Sequence, residues 1–334
     1  MPLAEVPRAS GVGSWPGLQI TEAVRQVRDL LVVEQGLPYL PELPARGPGA
    51  DLVGRTAGLL VELPVDLQPS GWRLTDAPGR DVRRARSLLG EDLDALAEAY
   101  DGFGGDLKVQ VAGPWTLAAS IFLPRGERAV HDPGACRDLA ASLAEGVRDH
   151  LAALARLVPE ARWVLQVDEP ALPGVLGGVL PTASGLGALP AVEADVVRAG
   201  LTEVLSAAAE RATTVVHCCA PDVPVALFQA AGADAVSIDT SLLDRPGWEE
   251  LGAVVERGAS AWAGIVPTDA VAPRPDDLLR PLLGAWESLG LGDEPLAAAV
   301  LTPACGLAGA DPRQALDLQR AAVAAAGLLA ERLA

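Results

Sequence analysis

The chain has 334 residues, 50% of them hydrophobic and 21% charged, with a formal net charge of −18. That length can bury a large core, and the acidic balance excludes nucleic acid or an anionic membrane surface as the main partner. The apolar stretches are short and interrupted, the start MPLAEVPRASGVGSWPG has no signal-peptide pattern, and four scattered cysteines form no disulfide framework, so a soluble cytoplasmic protein without membrane spans is expected.

In chain order, short β-branched runs alternate with longer Ala/Leu/Arg stretches of helical period. A first strand near GVGSW ends in Ser14 and Trp15 and leads into a helix over 21–35. The Pro/Gly-rich LPYLPELPARGPGAD reads as a long loop, followed by a second strand at LLVELP and a helix over 81–100. The third strand, LKVQVAG, has Lys108, the chain's one lysine, near its start, and a helix over 133–157 opens behind the cap residue Asp132. The fourth, WVLQVDEP, ends in Asp168 and Glu169 and is separated by the long PALPGVLGGVLPTASGLGALP from a helix over 192–212. TTVVHCC ends in His217 and Cys219 before a helix over 223–231, and DAVSID ends in Asp239 before one over 247–257. SAWAGIVP precedes a helix over 276–289; AAVLTPACG runs into Cys305 and a helix over 312–333. Eight β-α units predict an α/β protein, a single (β/α)8 barrel domain over residues 1–334. A doubly wound sheet is the alternative. A barrel needs about 250 residues; the excess sits in the two Pro/Gly-rich connections, and long loops in compact domains are usually functional.

Chemistry in such barrels gathers at the C-terminal ends of the strands. The chain has four cysteines and three histidines, and three of these seven residues are consecutive at 217–219. Alternation along a strand puts His217 and Cys219 on one face and Cys218 on the other. His217 and Cys219 can then serve one ion, while Cys218 packs as a small apolar residue. Cys305 offers a second sulfur and Asp239 an oxygen, a donor set soft enough to prefer zinc to magnesium or calcium. Cys136 is expected to be inert inside its helix, and His131 and His150, flanking that helix, to lie at the surface. Arg83, Arg84 and Arg86 read as a solvated helix face.

The segments GVGSW, AGPWTLA, LQVDEPAL, HCC, VSIDTS and TPACGL occur in this order. In that order and spacing the chain resembles the C-terminal catalytic barrel of cobalamin-independent methionine synthase, from Gly11 to about Leu307. The resemblance implies a TIM barrel of the uroporphyrinogen decarboxylase/methionine synthase-like kind. It also implies a methyltransferase that uses Zn2+ to move a methyl group onto the thiol of homocysteine, forming methionine. It makes His217, Cys219 and Cys305 zinc ligands, with Asp239 in the place of a family glutamate and shorter by about 1.5 Å of reach. Ser14 and Asp168 match positions that hold the amino-acid part of homocysteine, Asp168 facing the ammonium and Ser14 the carboxylate. Glu169 beside them shapes the loop or assists binding.

Two departures concern the methyl donor. Where the family has a histidine that helps protonate the departing folate, DAVAPR has Val271, which leaves Asp269 as a candidate acid. The second, N-terminal barrel that helps hold folate polyglutamate in full-length family enzymes has no counterpart in this sequence. The donor is therefore expected to be either 5-methyltetrahydrofolate or a methylcorrinoid, the latter on a carrier protein. Two other readings are a uroporphyrinogen decarboxylase-like enzyme without zinc and a non-catalytic subunit that binds a methyl carrier. A Schiff-base aldolase fits poorly, because Lys108 sits at the wrong end of its strand.

Overall fold

In the computed structural model, which describes residues 6–334, the strands are β1 (Arg8–Ala9), β2 (Val65–Gln68), β3 (Gly71–Leu74), β4 (Asp106–Ala112), β5 (Arg162–Asp168), β6 (Ala212–Cys218), β7 (Ala235–Asp239), β8 (Ser260–Val266) and β9 (Val300–Pro303). β2 and β3 form a separate antiparallel hairpin. The other seven make one sheet in the order β1-β9-β8-β7-β6-β5-β4, every pairing parallel.

Residues 37–42 close this sheet into a barrel. On one side Leu37 N donates to Ala9 O (2.7 Å), Glu42 N to Gly13 O (3.1 Å) and Trp15 N to Glu42 O (2.8 Å). On the other, Lys108 N donates to Pro38 O and Leu40 N to Lys108 O, both at 2.9 Å. The second barrel strand is thus LPYLPE, not LLVELP. Pro38 and Pro41 lack N–H donors, so the ladder is broken into single bridges and the segment reads as a loop. LLVELP instead connects a short helix to the β2–β3 hairpin.

The helices are α1 (Ile20–Val32), α2 (Leu52–Ala57), α3 (Arg80–Ala99), α4 (Pro114–Ser120), α5 (Pro133–Leu157), α6 (Leu172–Gly177), α7 (Ala194–Ala208), α8 (Val225–Ala230), α9 (Arg245–Glu256), α10 (Pro275–Ser288), α11 (Asp293–Ala297) and α12 (Pro312–Leu333). Asp132 and Asp311 cap α5 and α12 by accepting from the first free N–H groups, with proline at the first helical position. No helix among the described residues is long and apolar enough to cross a membrane. The first five residues of the amino-terminal stretch lie outside the described residues.

Strand alternation stacks the barrel interior in layers. Leu37, Val164, Val215, Ala235, Trp262 and Val300 form an apolar floor. Two residues further along four of these strands the same face turns polar, with Gln166, His217, Ser237 and Thr302 all buried. This change, just below the strand ends, places the site.

Cys136 and Cys218 are buried and His131 is exposed, as expected, and Arg83, Arg84 and Arg86 are exposed on α3. His150 differs: it is buried, on the α5 stripe that also carries Gly146 and Leu154. Burial, with the Arg55 charge adding to it, lowers its pKa to about 3. The folded state therefore holds this imidazole neutral, while the unfolded chain protonates it below its ordinary pKa of about 6.5. Stability from this group is present above that pH and is lost as pH falls toward 3, with a slope of up to about 1.4 kcal/mol per pH unit. His150→Leu is expected to flatten this acid limb in denaturant titrations run between pH 7 and pH 4.

Candidate metal centre and substrate pocket

β6 directs His217 into the barrel and buries Cys218 on the opposite side. Cys219 follows as the strand ends, and Cys305 lies in the turn between β9 and α12; both are half-buried. The two Sγ atoms are 2.9 Å apart, and the donor atoms of His217, Cys219 and Cys305 lie within 4.8 Å of one another. His217 Nδ1 is held by Ser237 Oγ at 3.0 Å, while its Nε2 is buried with no hydrogen-bond partner. An orphaned buried nitrogen costs about 1–3 kcal/mol. A ligating histidine is usually oriented by a hydrogen bond to its other ring nitrogen, and the Ser237 hydroxyl makes that bond here. The three donors suit zinc with a position left over.

The thiols ionise as a pair. The hydrogen bond from Cys219 holds Cys305 below the ordinary thiol range against the effect of burial, and His217 adds to this. The same bond, with burial, raises Cys219.

Asp239 is not among the converging donors. Its Oδ1 accepts from Ser241 N at 2.9 Å and Ser241 Oγ at 2.6 Å, closing the turn after β7 on itself. A short carboxylate two residues before a serine satisfies this local turn, and the expected fourth ligand is not in place.

The amino-acid end of the pocket adjoins the cluster. Asp168, at the end of β5, pairs in register with His217 and is buried, accepting from Gln166 Nε2 at 2.7 Å. Burial raises its pKa to about 6, with His217 and Lys108 pulling the other way. Ser14 lies against the turn that carries Cys305: its carbonyl accepts from Leu307 N at 2.8 Å, and a Cβ on Gly306 would collide with its hydroxyl.

Glu169 has another task. Fully buried, it accepts from Trp115 N (3.0 Å), Thr116 N (2.7 Å) and Thr116 Oγ (2.8 Å), capping α4. Gly113 is required there because a Cβ would collide with that carboxylate. Glu169 therefore shapes the loop rather than facing the pocket. Asp269 stands exposed in the loop after β8, with no hydrogen bond or ion pair to the site, and neighbouring Val271 is 89% exposed.

Sequence reading missed Glu42. Only 3% exposed, it ends the proline-broken second strand, with Arg55 Nε 3.6 Å from Oε1 and no hydrogen-bond partner for that oxygen. Its pKa is raised to about 7 by burial, which Arg55 opposes and the nearby Asp168 charge reinforces. A lone acid at the end of an otherwise apolar LPYLPE run was the available signal. Two mutually repelling buried carboxylates beside a nitrogen-sulfur donor cluster suit a guest that is cationic at one end and a thiol at the other.

Residues 6–328 match the family model for the catalytic domain of cobalamin-independent synthase. Among solved structures, the chain is similar to a B12-independent methionine synthase from a Shewanella species in complex with selenomethionine, with 13% identity and a TM-score of 0.66 over 99% of each chain. It is also similar to a putative vitamin-B12 independent methionine synthase from Listeria monocytogenes, with 15% identity and a TM-score of 0.60 over 96% of this chain and 98% of that one. A methyltransferase from Methanosarcina mazei, 14% identical, has a TM-score of 0.56 over 97% of this chain and 94% of that one. At these identities the likeness is one of fold. No significant match is found among curated proteins.

Proposed function

The chain belongs to the family of cobalamin-independent synthase catalytic domains, and from that premise we propose that it moves a methyl group from a methylated tetrahydrofolate to the thiol of homocysteine, forming methionine. The observation that carries this reading is the convergence of His217 Nε2, without a partner, and the Cys219 and Cys305 sulfurs on one point. Zinc held by these three side chains would supply a Lewis acid that makes thiolate available at neutral pH, although a free thiol titrates near ~8.5.

The protein's own groups do the rest. Asp168 and Glu42 hold the substrate ammonium, whose charge relieves their mutual repulsion. Ser14, beside the Cys305 turn, takes the carboxylate, and together they aim the sulfur at the cluster. A methyl carbon about 3–3.5 Å from that sulfur is then in line for attack. The new S–C bond forms as the methyl–nitrogen bond of the folate breaks, and the departing nitrogen takes a proton. Asp269, in the loop after β8, is assigned as the acid that supplies it. Asp239 supports the rim through its turn rather than by ligation.

A corrinoid donor is set aside because the family is cobalamin-independent, and with it the carrier-binding subunit. The family also displaces the decarboxylase reading. The selenomethionine bound to the Shewanella relative, a selenium analogue of methionine, accords with methionine as product. The test is methionine formation from homocysteine with methyl-folate monoglutamate, methyl-folate polyglutamate or methylcobalamin. Turnover with a methyl-folate and none with methylcobalamin is expected. Turnover with methylcobalamin alone, or with none of the three, contradicts the proposal.

A further inference from the structure

Lys108 is wholly buried in the barrel interior, beneath the two carboxylates. Its Nζ donates to Val12 O (2.8 Å), Gln166 Oε1 (2.9 Å) and Gln110 Oε1 (3.3 Å) and lies 5.1 Å from the centre of the Tyr39 ring. These contacts tie β4 to β5, to the chain leaving β1 and to the proline-broken second strand.

A lysine amine held in this way presents donors, so each glutamine must turn its oxygen toward it. The opposite end of each amide is then a donor pointing away. Gln166 Nε2 donates to Asp168 Oδ1 (2.7 Å) and Val12 O (2.8 Å). Gln110 Nε2 donates to Leu40 O (2.7 Å). Gly13 packs against the Gln110 amide, where a Cβ would stand 3.0 Å from Cδ.

We infer that Lys108 is a positioning residue for the substrate amino group: it fixes the direction of the Gln166 amide, so that Asp168 faces an N–H donor. This rests on the reading of Asp168 and Glu42 as the ammonium site. Without Lys108 the Gln166 oxygen loses its buried donor, and the amide is held only at its nitrogen end, by Val12 O and Asp168, so its N–H is aimed less firmly at the carboxylate. The cost falls on the ammonium and not on the thiol. Lys108 touches no substrate, and with three acceptors around its nitrogen it is not placed as a nucleophile.

The experiment compares homocysteine with 4-mercaptobutanoate, which keeps the thiol and carboxylate but lacks the amine, as a competitive inhibitor of the full chain. Lys108→Met is expected to raise the homocysteine KM about tenfold, the scale of one hydrogen bond to a charged group. It should leave kcat within about twofold, as loss of uniform binding does, and the Ki of 4-mercaptobutanoate unchanged. In a Gln166→Leu background the same substitution should add less than about twofold, since it acts through the missing amide. If the Met variant does not accumulate folded, Lys108→Gln, which keeps an N–H donor, serves the same comparison, with homocysteine weakened and 4-mercaptobutanoate not. Equal weakening of both ligands, no weakening of either, or full additivity with Gln166→Leu overturns the inference. A wild-type enzyme that does not distinguish the two ligands refutes the ammonium site itself, a separate failure visible before any variant is made.

Discussion

Serine in place of Cys305 is expected to leave the barrel folded and to lower both zinc affinity and methionine formation by more than about a hundredfold. Removing a group that merely orients a ligand costs 10–100-fold in metal affinity, so about a hundredfold is a lower bound for losing a ligand itself. Among the described residues three side chains converge, and Asp239 is engaged with Ser241, so no fourth protein donor stands ready to compensate. Cys219→Ser should behave alike. Cys218→Ala and Cys136→Ala should retain the metal, because both thiols are buried away from the cluster. Metal analysis of the four purified variants, beside their turnover rates, checks the set. Loss of activity with full metal retention in both serine variants would break the link between the cluster and the chemistry.

Asp168→Asn is expected to lower kcat/KM for homocysteine by about 10²–10³-fold, mostly through KM. Removing one partner of a buried charge pair costs about 3–5 kcal/mol, and asparagine keeps the shape while losing the charge. The fold should not suffer, since the change removes a carboxylate that burial, with the Cys305 thiol adding to it, already holds up near 6. The same shift gives a pH signature. Only an ionised carboxylate pairs with an ammonium, so wild-type affinity for homocysteine should weaken as pH falls through about 7, where Glu42 titrates, and again through about 6, and the Asn variant should keep the first limb and lack the second. Steady-state kinetics between pH 5 and 8, with thermal unfolding of both proteins, read both effects. An Asn variant with wild-type KM would remove Asp168 from the pocket.

The legible parts of the sequence were those where one periodicity acts without competition. From β5 to β9, apolar residues give way two positions later to Gln166, His217, Ser237 and Thr302 on the same face, so strand parity alone placed His217 with Cys219 and away from Cys218. The second strand was hidden because Pro38 and Pro41 remove the donors that make a strand recognisable, and Glu42 was hidden with it. Asp239 shows a different limit. Strand exit and family position both pointed to the ion, but a serine two residues on captures the carboxylate, a choice between side-chain partners that spacing does not reveal. His150 was readable: it lies four residues from Gly146 and from Leu154, on the stripe that α5 buries.

The proposed chemistry depends on His217, Cys219 and Cys305 clasping a single zinc. X-ray absorption at the zinc edge of the purified protein, with metal content measured on the same sample, tests it most directly. About one zinc per chain is expected, with two sulfur neighbours and an imidazole nitrogen. Zinc without sulfur neighbours, or the same spectrum from Cys219→Ser and Cys305→Ser, would contradict it.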